Sequence, residues 1–170
     1  MLKKLNVTKS ILNYVGAALS LVMLVMQFVP FWTYGDKTAS INNFVWLKAT
    51  DGELTSWFAS NATGFNAYAD MNSLVLAPVL MFVLCILGVI FCTKNSKAAF
   101  ISLIPFFCGV IGVIGYLTQP VLQLGELWTL HIAISAALVL VGLVATVFGI
   151  IVFVKGDKVK KERKIIKKLA

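Results

Sequence analysis

Few residues of this chain are of types that could do chemistry. Its one histidine, His131, and its three cysteines, Cys85, Cys92 and Cys108, all lie inside apolar stretches. Metal sites and activated nucleophiles need two or more such groups close together, and no set with the right spacing occurs here. The apolar stretches also contain no carboxylate that could act as a buried acid. The sequence therefore predicts a protein that is not an enzyme and that holds no metal or cofactor.

The composition is that of a membrane protein. Of the 170 residues, 59% are hydrophobic and only 13% are charged, whereas soluble domains are about half apolar and about a quarter charged. The net charge of +8 is concentrated beside the apolar stretches, and lysine outnumbers arginine fourteen to one. Because arginine is the usual bidentate reader of phosphates and base edges, we expect no nucleic acid partner.

Four apolar stretches are each long enough to cross a bilayer as a helix, which takes about 20 residues. They predict an all-α, multi-pass membrane protein, a four-helix transmembrane bundle formed by a single domain, residues 1–154. The spans are about 11–31, 74–92, 98–117 and 127–154, with an outer segment at 32–73 and a basic tail at 155–170. A cleaved signal peptide is the alternative for the first stretch, but that stretch is longer than a signal core and no small-x-small site follows it promptly.

The distribution of lysine and arginine predicts the orientation. Both chain ends and the turn at 93–97 are lysine-rich, while the segment 32–73 holds only Lys37 and Lys48 beside four acidic residues. Positive residues stay on the cytoplasmic side, so both termini are expected in the cytoplasm and the segment 32–73 outside the cell membrane. The excess of lysine over arginine is typical of an AT-rich bacterial genome.

The outer segment is predicted to contain a β-hairpin, Asn43–Phe58, that turns at Asp51-Gly52. This dipeptide is a strong signal for a two-residue turn, and it sets Trp46 opposite Trp57. A lone hairpin is only marginally stable in water. We therefore expect the outer segment to pack on a partner, with the aromatic side chains as the contact: Trp32, Phe44, Trp46, Trp57 and Phe58.

In this layout the chain resembles the claudin and peripheral-myelin-protein superfamily. The specific residues are Pro30-Phe31-Trp32, similar to the Pro-x-Trp of claudins at the end of the first span, and Trp46-Leu47, near the position of the Gly-Leu-Trp motif of that family. The paired outer-loop cysteines of the family are absent here, and the second outer loop is short. The resemblance implies a claudin-like scaffold that assembles laterally and binds partners through its outer loop.

Small residues recur on one face of several spans, where they predict close helix packing. Counting back along both helices from the turn at 93–97 places Cys85 at the level of Pro105 and Gly88 at the level of Ser102. We interpret the cysteines as small packing residues rather than redox centres. The predicted packing residues are Cys85, Gly88, Ser102, Gly109, Gly112, Ala145 and Gly149.

Four polar residues near the outer boundary are candidates for a polar pocket: Gln27, Tyr116, Glu126 and His131. An ionisable residue within a span is a functional candidate by default. The simpler alternative, which we favour, is that His131 is hydrogen-bonded to a loop backbone or to Glu126 near the headgroup region.

The tail is predicted to begin where Gly156 ends the last helix. As a separate helix it would lie on the anionic inner leaflet, either as a plain positive-inside anchor or as a regulated lipid-binding segment. The residues expected to contact the inner leaflet are Lys158, Lys160, Lys161, Arg163, Lys164, Lys167 and Lys168.

The sequence thus favours a non-enzymatic membrane protein that acts by partner binding or lateral self-assembly through its outer loop. The expected partners are membrane lipids and another membrane protein or a second copy in a homo-oligomer. The alternative is a small-solute transporter or channel, or a subunit of one, that uses the polar groups near His131.

Overall fold

The protein is mostly helical and includes a small antiparallel sheet. The computed structural model describes residues 2–42, 67–94, 100–118 and 120–169, together with Glu53, Ser56, Trp57 and Ser60. The elements in chain order are α1 (Leu2–Met26), β1 (Pro30–Tyr34), β2 (Lys37–Ser40), α2 (Ala67–Thr93), α3 (Leu103–Thr118), α4 (Pro120–Gln123) and α5 (Trp128–Leu169).

The helices carry large apolar side chains on their outer surfaces. Among the described residues, Leu2–Met26 and Trp128–Gly156 are long and apolar enough to cross a membrane, and Pro78–Thr93 and Leu103–Thr118 are shorter apolar helices. The exposed side chains include Leu21, Val25, Val83, Phe107, Ile114, Leu140 and Val147. Apolar surface of this extent is unfavourable in water, so it indicates association with a membrane.

Glycines let the backbones of α3 and α5 touch. A Cβ built on Gly109 would lie 2.5 Å from the carbonyl oxygen of Ser135 and 2.6 Å from the amide nitrogen of Val139. Likewise, a Cβ built on Gly142 of α5 would lie 2.5 Å from the amide nitrogen of Phe106 of α3. All seven residues that the sequence predicts as packing residues are buried, including Ala145 and Gly149 on α5.

Helix α1 packs against the other helices through small and polar side chains. Gly16 lies beside Pro105 of α3, and the hydroxyl of Ser20 lies in the space that a Cβ on Gly88 of α2 would need. Nearer the start of α1, the buried Ser102 hydroxyl donates to Oδ1 of Asn13 at 2.7 Å. This face of α1 therefore joins the bundle by close packing and one buried hydrogen bond.

The pairing of α2 with α3 is shifted from the predicted one by two to three residues. The Sγ atoms of Cys85 and Cys108 are in contact, and Gly88 lies near Ile104, whereas the sequence analysis set Cys85 level with Pro105. The predicted start of this span at residue 98 was also wrong, because α3 begins at Leu103 after turns at 100–102. Cys85 thus meets a residue three positions further along α3 than predicted, and Gly88 meets one two positions further.

Other predicted boundaries also differ from the structure. Helix α1 begins at Leu2 instead of residue 11 and ends at Met26, because the chain turns before Pro30 and enters β1. Helix α2 begins at Ala67 instead of residue 74. The prediction that Gly156 ends the last helix was wrong: α5 continues through Gly156 to Leu169, so the basic tail is a continuation of the span.

Candidate functional site

The candidate site lies where the outer segment meets the ends of the helices. Strands β1 and β2 form a hairpin in which Tyr34 pairs with Lys37 across the two-residue turn Gly35-Asp36. Gly35 has a φ of 56°, a left-handed conformation that costs glycine little. The sequence analysis missed this hairpin, although Gly35-Asp36 lies between two short β-prone stretches. The predicted hairpin at 43–58 falls largely outside the described residues, but Glu53, Ser56 and Trp57 are described and are helical, so the prediction that they belong to a β-strand was wrong.

The aromatic side chains of the hairpin pack into the end of the helical bundle. Phe31 is 1% exposed and Trp32 is 2% exposed, and their ring centroids are 4.7 Å apart in an edge-to-face arrangement. Phe31 also meets His131 at 4.8 Å, and the close approach of its ring to Gly125 leaves no space for a side chain at that position. Trp32 is therefore part of the internal packing here, and a role for it in partner binding stays a prediction.

Three hydrogen bonds fix the hairpin to the helix ends. The amide of Glu126 donates to the carbonyl of Phe31 at 2.9 Å, and the amide of Asn42 donates to the carbonyl of Gln27 at 2.9 Å. The hydroxyl of Thr33 donates to Oε1 of Glu126 at 2.7 Å. Glu126 thus ties β1 to the loop before α5, and its carboxylate binds Thr33 instead of His131.

Two residues from further along the outer segment contact the same hairpin. The ring of Trp57 lies 6.3 Å from that of Tyr34, and Glu53 forms an ion pair with Lys37. The other residues predicted for partner contact, Phe44, Trp46 and Phe58, lie outside the described residues. The hairpin therefore serves as a support on which later parts of the outer segment rest.

Below the hairpin, His131 lies in a buried cluster of aromatic and polar groups. It is 0% exposed, its ring lies 5.1 Å from that of Tyr116, and its Nδ1 is 2.9 Å from the carbonyl oxygen of Leu127. Leu127 belongs to the turn before α5, so the partner is a loop backbone, one of the two alternatives that the sequence analysis gave.

Several polar atoms of this cluster have no hydrogen-bond partner within the described part of the chain. They are Nε2 of His131, Nε2 of Gln27 and Oγ of Ser135, which lies one turn along α5 from His131. The backbone of Met26, next to Gln27, is close to the imidazole of His131. Unpaired polar atoms in an apolar interior cost about 1–3 kcal/mol each, so this cluster destabilises the bundle unless these atoms gain a partner.

Two features of the described structure are candidates for function: the outer surface that the hairpin supports and the small internal polar cluster around His131. Among the described residues, no group of three or more His, Cys, Asp or Glu side chains is placed to hold a metal ion. Of the four residues predicted to form a polar pocket, Tyr116 and His131 are in contact. Gln27 directly follows Met26, whose backbone is close to the imidazole of His131, and the carboxylate of Glu126 binds Thr33 of the hairpin.

No protein-family model, curated protein or solved structure matches the chain.

Proposed function

We propose that this chain is a non-enzymatic, four-span membrane protein whose outer segment binds a second copy or another membrane protein. The proposal rests on how the outer segment is attached to the helical bundle. Phe31 and Trp32 are buried in the end of the bundle, and Trp57 and Glu53 rest on the hairpin that contains them. A surface that is already ordered loses less conformational entropy on binding, which favours association.

In this proposal α1, α2, α3 and α5 each cross the membrane, so the apolar outer surfaces of all four helices face lipid. Contacts between Gly109 of α3 and Ser135 of α5, and between Ser20 of α1 and Gly88 of α2, join them into one bundle. An even number of spans places both termini on one side, and the lysine-rich ends make that side the cytoplasm of a bacterial cell. The hairpin then lies outside the cell membrane.

Lateral assembly is the form of binding that we favour. The resemblance to claudins implies the same lateral mode of assembly. The exposed residues of the hairpin, among them Thr33, Asp36 and Thr38, would form the polar rim of such a contact, and the aromatic residues of the segment 43–58 its centre. The basic residues of the tail would hold the cytoplasmic end against anionic lipids.

Crosslinking in intact membranes tests the proposal. A membrane-impermeant amine crosslinker reaches Lys37 and Lys48 on the outer side, and we expect it to yield dimers or larger species. The variants Trp46→Ala and Trp57→Ala should each reduce these species about tenfold, since buried aromatic anchors contribute about 1.4 kcal/mol or more to an interface.

The matched control is Phe153→Ala, which truncates an exposed aromatic side chain in the second half of α5, away from the hairpin, and should leave crosslinking unchanged. The thermal stability of each variant is measured alongside, because Trp57 also contacts Tyr34. Crosslinking that is absent in the wild type, or indifferent to both tryptophan variants when they fold normally, would contradict the proposal.

A second function, passage of a small polar solute, is supported by the unpartnered nitrogen atoms of His131 and Gln27. In liposomes that contain the protein, flux of water or of a small neutral solute should then fall to the background of empty liposomes in His131→Phe and Gln27→Leu. Glu126→Gln is the control, because Glu126 lies with the hairpin. Flux that does not depend on His131 or Gln27 would exclude this function.

A further inference from the structure

Two thiols meet in the interior of the bundle. Sγ of Cys85 on α2 and Sγ of Cys108 on α3 are 3.4 Å apart, and both side chains are 0% exposed. Cys92, seven residues further along α2, is equally buried, and the described structure shows no sulfur contact for it. The chain therefore contains one pair of adjacent thiols and one isolated thiol in similar surroundings.

The two sulfur atoms are separated by little more than the length of a disulfide bond. The sulfur atoms of a disulfide are about 2.05 Å apart, so the two must approach by about 1.4 Å. Rotation of the two side chains about their Cα–Cβ bonds moves the sulfur atoms by distances of this order. The carbonyl of Met81 lies 3.9 Å from the Sγ of Cys108, and the phenol of Tyr116 is close enough to interact electrostatically with both thiols.

The surroundings determine which reaction suits this pair. A free thiolate, which is charged, would be strongly disfavoured in an apolar interior. A disulfide carries no charge, and a neutral oxidant that takes up two electrons and two protons leaves none behind. Since the helices that enclose the pair carry apolar side chains on their outer surfaces, an apolar oxidant dissolved in the bilayer is the class that best suits these surroundings.

Although the sequence predicts only a packing role for these cysteines, we propose that Cys85 and Cys108 form a redox-active dithiol, which a lipid-soluble quinone oxidises to a disulfide that joins α2 to α3. Both S–H bonds break and one S–S bond forms. The two electrons and two protons reduce the quinone to its hydroquinone. Because both sulfur atoms are fully buried, α2 and α3 must part briefly for the reaction, and we expect it to proceed over minutes to hours. The inference does not depend on the function proposed for the outer segment.

The test uses the full chain in liposomes with a short-chain quinone dissolved in the bilayer, without oxygen. After the reaction the protein is unfolded in detergent and its free thiols are labelled with a maleimide that retards the chain on a gel. The reduced wild type should carry three labels, one for each cysteine. After quinone treatment it should carry only the label on Cys92, with one hydroquinone formed per chain, and a reductant should restore all three.

Three variants make the assignment specific. Cys92→Ala should lose both of its remaining labels on oxidation, whereas Cys85→Ala and Cys108→Ala should each keep both of theirs. Three labels on the wild type after quinone treatment would overturn the proposal. Equal loss of labels in the Cys85→Ala variant would also overturn it, because oxidation would then involve Cys92 or contacts between chains.

Discussion

Replacing Gly109 with alanine should prevent α3 and α5 from packing closely and should destabilise the protein by about 1–3 kcal/mol. The added methyl group would lie 2.5 Å from the Ser135 carbonyl oxygen and 2.6 Å from the Val139 nitrogen. These are backbone atoms of a helix, so they cannot move aside as the end of a flexible side chain can. The two helices must separate, and packing contacts along their length are lost.

Unfolding in mixed detergent micelles, followed by the change in helix content, measures this effect. Gly156→Ala is the matched control, because that glycine is also helical but has nothing within 4 Å of an added Cβ. Alanine should stabilise the helix there by roughly 0.5–1 kcal/mol. Equal stabilities of the two variants would show that α3 and α5 do not touch at Gly109.

Replacing Phe31 with alanine should have the largest effect of any substitution in the hairpin, about 3–5 kcal/mol. The ring of Phe31 contacts Trp32 and His131 and packs closely on Gly125. Its removal leaves a cavity at the junction of β1, α3 and α5, and the hairpin loses its main attachment to the bundle. The same free-energy measurement applies, and the fluorescence of Trp32 should show that its surroundings have become more polar.

Phe28→Ala is the control for this variant. Phe28 lies three residues earlier but is 56% exposed, with an edge contact to Phe82 at 6.2 Å. We expect a loss below about 1 kcal/mol, typical of a surface substitution with few contacts. A Phe31→Ala variant as stable as Phe28→Ala would contradict the docking of the hairpin.

The helices could be predicted from the sequence because long apolar stretches have few other structures available to them. Their ends could not be predicted so well. The apolar stretch that begins within α1 runs on to Phe31 with Gln27 as its one polar residue after Ser20, so hydropathy alone placed Phe31 and Trp32 at the end of a span. The structure places both in β1, where their rings pack inward.

The partners of the polar residues were also beyond the reach of sequence reasoning. Glu126 is close to His131 along the chain, yet its carboxylate accepts a hydrogen bond from Thr33, 93 residues away. The contact between Cys85 and Cys108 depends on where α3 begins, since a shift of three residues decides which side chains meet across α2 and α3. Spacing within one segment does not carry such long-range information.

The central claim is that the outer segment is a supported surface for assembly, and crosslinking from position 57 tests it most directly. A photoreactive amino acid is placed at position 57, which contacts the hairpin, or at position 153, well along α5 from the hairpin, and cells are irradiated. We predict a crosslinked protein, either a second copy or another membrane protein, from position 57, and its loss when Phe31→Ala frees the hairpin. A crosslink of equal strength from position 153, or none from position 57, would contradict the account.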